Sequence, residues 1–178
     1  TNLLKEYSKV YGFKLDINPI NNPKTKQPYA STSIREAIRS GQMDEVNTLL
    51  GRPWSMEGQV IHGDKKARKM NFPTANILPH NEIYPLKGVY VVKINVGDQS
   101  FRGIANFGER PTVDGKKILL EVHLFDFNKD IYGKHLTVEF LTFIRGEKKF
   151  ENFDYLVEQI NKDVQIAKDY HLKKINGI

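Results

Sequence analysis

Residues 88–106, which read GVYVVKINVGDQSFRGIAN, decide the fold that we predict from this sequence. Apolar residues dominate Gly88–Val96, and a second run, Gln99–Asn106, follows after Gly97 and Asp98. A glycine–aspartate pair between two such runs is typical of a β-hairpin. The stretch therefore predicts two antiparallel strands joined by a tight turn.

Strand-like segments flank this hairpin on both sides, at Met56–His62, Ile118–Asp126 and His135–Phe143. Several short strands without intervening helices favour an antiparallel barrel or sandwich. A final helix is predicted because apolar residues recur there every three or four positions, at Phe153, Leu156, Ile160, Val164 and Ala167. We therefore expect a mainly β domain that ends in an α-helix. A long proline-bearing loop, about residues 63–87, is expected to join the first two strands.

The first fifty residues have a different, α/β pattern. Helical spacing covers Leu3–Tyr11, and Ser33 with Glu36 forms a capping-box pattern that predicts a helix to about Ser40. A second helix is expected to end at Gly51. Since this fragment has too few strands to close a core, we expect residues 1–50 to be part of a longer domain and residues 51–178 to be the barrel domain.

Composition excludes several classes of protein. The 178 residues include no cysteine, so a disulfide framework, a zinc–thiolate site, an iron–sulfur cluster and a cysteine nucleophile are excluded. No apolar run approaches the length of a membrane helix, and no signal segment follows Thr1, so a cytoplasmic location is expected. The 27 basic and 21 acidic side chains give a net charge of +6, whose densest run is Lys65–Lys69. That run is either a solvated surface or a site for an anion.

Two clusters in the long loop could bind a nucleotide and its metal. Gly63 at a strand end, followed by the basic run, could turn backbone N–H groups toward a phosphate. In an extended chain Thr74 and Asn76 point to the same side and present two neutral oxygen ligands of the kind that Mg²⁺ takes. The alternative for Thr74 and Asn76 is a capped turn without a ligand.

Two further clusters lie on and after the later strands. Glu121 alternates with large apolar residues, which would partly desolvate a carboxylate and suit it to general base catalysis. It could equally be a surface residue of a half-exposed strand, and nearby His123 is interpreted as structural. Arg145 and Phe150 could hold a flat ring and a phosphate, or could belong to an ordinary exposed connection.

Taken together, these clusters resemble the riboflavin kinase family over about residues 52–172. The Pro-Thr-Ala-Asn signature at Pro73–Asn76 is the most specific element of this resemblance. The matching stretches, in the order of the family, are Gly58–Val60 with Gly63, Phe72–Asn76, Gly103–Thr112, Leu120–Phe127, Tyr132–Lys134, Phe143–Arg145 and Lys148–Phe150.

The resemblance implies a six-stranded antiparallel, Greek-key type barrel with a C-terminal helix, and transfer of the γ-phosphate of ATP to the 5′-hydroxyl of riboflavin, giving FMN. By resemblance, Glu121 is the catalytic base, and Thr74 and Asn76 bind Mg²⁺. It assigns contacts with ATP to Gly63, Arg68, Pro73, Leu124, Asp126 and Tyr132, and contacts with the flavin to Arg145, Lys148 and Phe150. Ala67, Asn71 and Gly146 depart from the residues usual in the family, which bears on the phosphate contacts and the flavin-side loop.

Residues 1–50 resemble the tail of the FMN adenylyltransferase domain that precedes the kinase in bacterial bifunctional FAD synthetases. The matching elements are Ala30–Arg35 and the junction Leu50–Pro53. No histidine precedes His62, whereas the nucleotide-binding histidine motif of that domain lies near its N-terminus. This chain is therefore expected not to make FAD alone, although a longer parent would adenylylate FMN to FAD.

Two other functions remain as alternatives. A small basic barrel could bind single-stranded nucleic acid, although its aromatic residues alternate as core residues and Glu121 would repel phosphates. The second alternative is a regulatory module that binds a flavin without turning it over. The preferred interpretation has ATP and riboflavin as partners, no nucleic acid and no membrane, and a monomer or weak self-association.

Overall fold

The computed structural model of the chain describes residues 2–16, 30–62, 72–112 and 115–175. The chain forms two compact units, Thr1–Ser31 and Thr32–Ile178. In the first unit, helix α1 (Asn2–Tyr11) confirms the helix predicted at this position. Within it, Tyr7 and Tyr11 lie one turn apart and contact edge to face, with ring centroids 5.7 Å apart.

The second unit contains a closed antiparallel barrel, which confirms the expected mainly β fold. Its strands are β1 (Trp54–Ile61), β2 (Ala75–Pro79), β3 (Gly88–Val96), β4 (Gln99–Thr112), β5 (Gly115–Leu124) and β6 (His135–Gly146). Around the barrel the order is β1-β2-β5-β4-β3-β6, and β6 pairs with β1 to close it. Closure gives every strand two neighbours and so leaves no exposed sheet edge.

The decisive hairpin is confirmed, with β3 and β4 joined by a turn at Gly97, whose φ is 57°. The sequence analysis missed β2, which lies inside the predicted loop, and ended β4 too early. In β2 four of five residues are buried, so no polar–apolar alternation marks it as a strand.

Alternation along the strands divides the barrel into an inner and an outer layer. The inner layer is filled by large side chains such as Tyr90, Phe107, Phe140 and Leu120, each at most 2% exposed. A smaller outer cluster contains residues such as Val91 and Phe125. Burying side chains of this size contributes about 1.5–3 kcal/mol each, so the two layers supply most of the stabilisation of the unit.

Helix α4 (Phe153–Ile175) covers the outer cluster. Val164 and Ala167 are buried against it and Ile160 packs at its border, as predicted. Phe153, however, is 57% exposed, because it lies at the first position of the helix. The predicted apolar face therefore begins later in the helix than the periodicity indicated.

A buried ion pair fixes α4 to the barrel. Arg145 of β6 donates from Nη2 to Oδ2 of Asp163 at 2.7 Å and from Nε to the same oxygen at 2.9 Å. Asp163 is 2% exposed and also accepts a hydrogen bond from Gln159 at 2.9 Å. The carboxylate is thus fully partnered, as a buried charge requires.

We expect Asp163→Asn to lower the free energy of unfolding by about 2 kcal/mol, because it leaves the Arg145 guanidinium without its counter-charge. Urea unfolding measures this effect. The control is Glu158→Gln on the same helix, which removes the exposed pair with Lys162 and should leave the midpoint unchanged. Equal midpoints for the two variants would contradict a stabilising role of the buried pair.

Helices α2 (Ser31–Arg39) and α3 (Met43–Leu50) pack onto the barrel. Ile38, Met43 and Val46 are buried in the inner cluster, and Asn47 Nδ2 donates to the Phe140 carbonyl at 2.9 Å. The sequence analysis divided the chain at residue 50, whereas the compact unit begins at Thr32 because of these contacts.

Of the two helix ends predicted near this boundary, the end of α3 is confirmed and the start of α2 is not. Gly51 follows α3 in the left-handed conformation, as predicted. Ser33 lies inside α2 rather than at its N-cap, so the capping-box prediction was wrong for this end.

Candidate active site

A cavity of about 600 Å³ opens beside the start of β2 and the loop that joins β5 to β6. Its lining includes Pro73, Leu124 and Tyr132, three of the residues predicted to contact a nucleotide. The other lining residues are Val60, Thr74, Ala75, Phe127, Asn128, Lys129, Asp130 and Ile131. The volume is in the usual range for sites that bind small molecules and cofactors.

The β5–β6 loop, which forms much of this lining, is shaped by its own hydrogen bonds. Asp130 Oδ1 accepts from the Tyr132 amide at 3.0 Å, and the Tyr132 ring stacks on His62 with centroids 4.0 Å apart. The sequence analysis assigned no role to residues 128–131. Asparagine and aspartate are typical turn residues, so Asn128 and Asp130 carried a sequence signal for this loop.

The remaining predicted nucleotide contacts are not among the described residues that line the cavity. Asp126 is exposed, has a φ of 55° and lies in the turn after β5, next to the cavity rather than in its lining. Gly63 and Arg68, with the basic run and the departures Ala67 and Asn71, lie outside the described residues.

Asn76, one of the two predicted metal ligands, and Glu121, the predicted base, lie on the outer face of the barrel. Asn76 of β2 lies directly opposite Glu121 of β5, which in turn lies opposite Asn106 of β4. Directly opposite residues project to the same face of a sheet. Thr74 precedes β2 by one residue and lines the cavity, so the cavity, the oxygen ligands and the carboxylate are neighbours.

Asn76 has an unusual environment. Its side chain is 7% exposed, and Oδ1 accepts no hydrogen bond from any residue in the described part of the chain. A buried polar atom without a partner costs about 1–3 kcal/mol. Such an oxygen fits a hard cation, and among the described residues no group of three or more carboxylate, histidine or cysteine side chains offers a competing metal site.

Glu121 pairs with a cation that the sequence analysis did not assign. Arg110 Nη2 of β4 donates to Glu121 Oε1 on the neighbouring strand. The Glu121 side chain is 20% exposed, which matches the partly desolvated carboxylate that the strand pattern predicted. In the β4–β5 register Arg110 lies opposite Lys117 and Glu121 lies opposite Asn106, so the Arg110 side chain reaches along the sheet to the carboxylate. The sequence alone carried no signal for this pair.

His123, which lies two residues after Glu121 on β5, contacts the predicted nucleotide segment. Its Nδ1 lies 2.8 Å from the Pro73 carbonyl oxygen. Burial lowers the pKa of His123 below its ordinary value, although the bond to Pro73 opposes this shift and Lys168 adds slightly to it. The ring is therefore neutral at pH 7.

The three predicted flavin residues form a cluster after β6. The Phe150 ring lies 5.8 Å from the Arg145 guanidinium carbon and 5.8 Å from Lys148 Nζ. Arg145 is also bound to Asp163 and donates from Nη1 to the Gly146 carbonyl at 2.9 Å, so its N–H groups are largely used within the protein. These contacts hold the guanidinium in place beside the Phe150 ring.

The segment that carries this cluster also contacts β4. A Cβ atom placed on Gly108 of β4 would collide with Glu147 Oε1, so Glu147 lies directly against that strand. Gly108 is two residues from Asn106, the β4 neighbour of Glu121. A Cβ placed on Gly146 meets no heavy atom of the described chain within 4 Å, so that departure from the family leaves room rather than causing strain.

In the ranges 2–16, 30–62, 72–112 and 115–175, no helix is long and apolar enough to cross a membrane.

Comparison with known proteins gives a consistent result. The flavokinase (riboflavin kinase) family model matches residues 50–171. A bifunctional riboflavin kinase/FMN adenylyltransferase of Haemophilus influenzae is 46% identical over 94% of this chain and 54% of its own length. The protein of the same description from Bacillus subtilis is 43% identical over 79% of this chain and 46% of its own length. The chain thus spans about half the length of these curated relatives.

Solved structures agree in fold. A structure described as a macrolide-efflux protein from Streptococcus pneumoniae superposes with a TM-score of 0.78 and 37% identity, over 85% of this chain and 50% of that one. Riboflavin kinase from Trypanosoma brucei shares the fold, with a TM-score of 0.50 and 24% identity over 68% of this chain and 81% of that one. The family match covers well over half of the sequence, and on this ground the chain belongs to the riboflavin kinase family.

Proposed function

We propose that this chain transfers the γ-phosphate of ATP to the 5′-hydroxyl of riboflavin, giving FMN and ADP, with Mg²⁺ as the metal. One observation carries the proposal beyond family membership. The buried Oδ1 of Asn76, which has no hydrogen-bond partner among the described residues, lies directly across the strand pair from the partly buried carboxylate of Glu121, beside a cavity of nucleotide size.

The two substrates approach the Glu121 face from opposite sides in this proposal. ATP occupies the cavity, where Pro73, Leu124 and Tyr132 contact the nucleoside. Gly63, Arg68 and Asp126 are proposed as further contacts with ATP. The flavin lies toward the Phe150 cluster, where the faces of Phe150 and the Arg145 guanidinium suit a planar ring and Lys148 suits an anionic group.

Thr74 and Asn76 would hold Mg²⁺ together with the phosphates of ATP, and Mg²⁺ supplies charge neutralisation there. Both protein ligands are neutral, so the metal site is incomplete without the nucleotide. This arrangement is typical of Mg²⁺, which usually shares its coordination between one or two protein ligands, water and substrate phosphates.

Glu121 accepts the proton of the 5′-hydroxyl as the hydroxyl oxygen attacks the γ-phosphorus. A new oxygen–phosphorus bond forms, the bond to the oxygen that bridges the β- and γ-phosphates breaks, and ADP leaves with that oxygen. Arg110 holds the carboxylate in place before the substrates bind. Catalysis of this reaction depends mainly on alignment and charge neutralisation, which these groups can supply.

The direct test is to incubate the chain with riboflavin, ATP and MgCl₂ and to separate flavins by chromatography. We expect FMN to accumulate with an equal amount of ADP, and no FMN without ATP or with excess EDTA. Absence of FMN from folded protein would overturn the proposed function. The same chromatogram tests the expectation that this chain makes no FAD.

The proposal extends to a full-length protein like the relatives, in which an adenylyltransferase domain would convert FMN to FAD. Residues 1–50 are proposed to be the tail of that domain. Because ATP is a cytoplasmic substrate, a cytoplasmic location is part of the proposal. A monomeric or weakly associating state is proposed as well.

A further inference from the structure

We infer that His123 is a positioning residue, which sets the metal-binding hydroxyl of Thr74 by fixing the Pro73 carbonyl. This inference rests on the proposed function. The contact that carries it is the 2.8 Å distance between His123 Nδ1 and the Pro73 oxygen.

The direction of the hydrogen bond follows from the two partners. A carbonyl oxygen can only accept, so Nδ1 carries the proton and donates. Both the neutral Nδ1–H tautomer and the imidazolium carry a proton on this nitrogen. The ring nitrogen nearest to the nucleotide segment is therefore a permanent donor.

The location of this bond explains its effect. The ladder between β2 and β5 begins at Ala75, paired with Val122, so Thr74 lies just before the ladder. Proline has a fixed φ, and its remaining backbone freedom is the rotation that orients its carbonyl. The Pro73 carbonyl and the Thr74 amide belong to one planar peptide unit, so fixing the oxygen also fixes the start of Thr74.

The imidazole is itself held rigidly. Its ring contacts the edge of Phe72 with centroids 5.6 Å apart and that of Phe125 at 5.7 Å, and its backbone is part of β5. Glu121 lies two residues away on the same strand and the same face. One rigid strand thus fixes both the base and, through His123, the segment that supplies the metal ligands.

The test compares variants that differ only in where they place a donor. In His123→Asn the side-chain amide can occupy the position of Nδ1, whereas in His123→Gln it extends past that position, and His123→Leu has no donor. The first readout is the Mg²⁺ concentration that half-saturates ADP binding, measured by calorimetry, which does not depend on turnover. The second is kcat and KM for ATP at several Mg²⁺ concentrations.

We expect His123→Leu and His123→Gln to weaken the apparent Mg²⁺ affinity by about 10–100-fold, as is usual when a group that orients a ligand is lost. Asparagine at this position should restore most of the affinity. Equal Mg²⁺ requirements for the asparagine and glutamine variants would overturn the inference, and this comparison holds even where the leucine variant fails to fold.

His171 is the matched control, because it also packs against Phe125 but lies on α4, 3.5 Å from the Gly103 carbonyl. His171→Leu should lower the unfolding midpoint and leave the Mg²⁺ requirement unchanged. If His123→Leu behaves in the same way, the role of His123 is structural only. If wild-type protein binds ADP with Mg²⁺ but forms no FMN, the proposed function fails while the binding comparison still decides the role of His123.

Discussion

Glu121→Gln is expected to lower kcat for FMN formation by about 10²–10⁴-fold, the usual contribution of a positioned general acid or base. Glutamine retains the shape of the side chain but cannot accept the hydroxyl proton. KM for ATP should change little, because the carboxylate acts on the flavin hydroxyl rather than on the nucleotide. Steady-state kinetics with chromatographic detection of FMN measures both constants.

Glu139→Gln provides a closely matched control for this experiment. The Glu139 side chain is 19% exposed and pairs with Lys93, while that of Glu121 is 20% exposed and pairs with Arg110. Both variants remove the charge of a partly buried carboxylate that pairs with a cation on a neighbouring strand, so both should lose stability. Similar kcat values for the two variants would remove Glu121 from the chemistry.

The sequence was most informative where a residue's role depends on its own strand. Alternation along β5 separated Glu121 from the core residues Leu120 and Val122 on its two sides, and the structure has all three as expected. The hairpin of β3 and β4 was equally accessible, because a two-residue turn signals itself locally.

Features that depend on pairing between distant segments could not be predicted. Arg110 meets Glu121 only because β4 and β5 pair as neighbouring strands, and Arg145 meets Asp163 only because α4 folds back onto the barrel. The second case matters for the site, because a residue chosen for flavin binding also anchors a helix. Sequence pattern identifies a cation but not the number of partners that it already has.

Strand β2 illustrates a different limit. Pro73 precedes the strand by two residues, and Pro79 and Asn76 lie within it; prolines and an asparagine so close together are typical of a loop. The barrel nevertheless pairs this segment with both β1 and β5. Asn76 lies in this strand with a buried Oδ1 that no described residue partners, and such local conflicts between sequence and structure are expected at functional sites.

Asn76→Leu is expected to lower Mg²⁺-dependent turnover by about a hundredfold or more while leaving the protein at least as stable as the wild type. The activity falls because an oxygen ligand is lost. Stability is maintained or rises because the variant removes a buried acceptor that no described residue partners, and such an atom costs about 1–3 kcal/mol when left unsatisfied. Urea unfolding without Mg²⁺ or nucleotide, together with kcat at saturating Mg²⁺, measures the two effects.

Asn95→Leu is the control, because Asn95 is a barrel asparagine whose side chain is partnered. Its Nδ2 donates to Glu139 at 2.8 Å, and its Oδ1 accepts from Ser100 at 2.6 Å. This variant should lose about 1 kcal/mol of stability, since it leaves those partners unpaired, and should retain turnover. The two asparagines are therefore expected to respond in opposite ways. A loss of stability in Asn76→Leu as large as that in Asn95→Leu, with turnover retained, would mean that Asn76 is a structural residue and that the metal is held elsewhere.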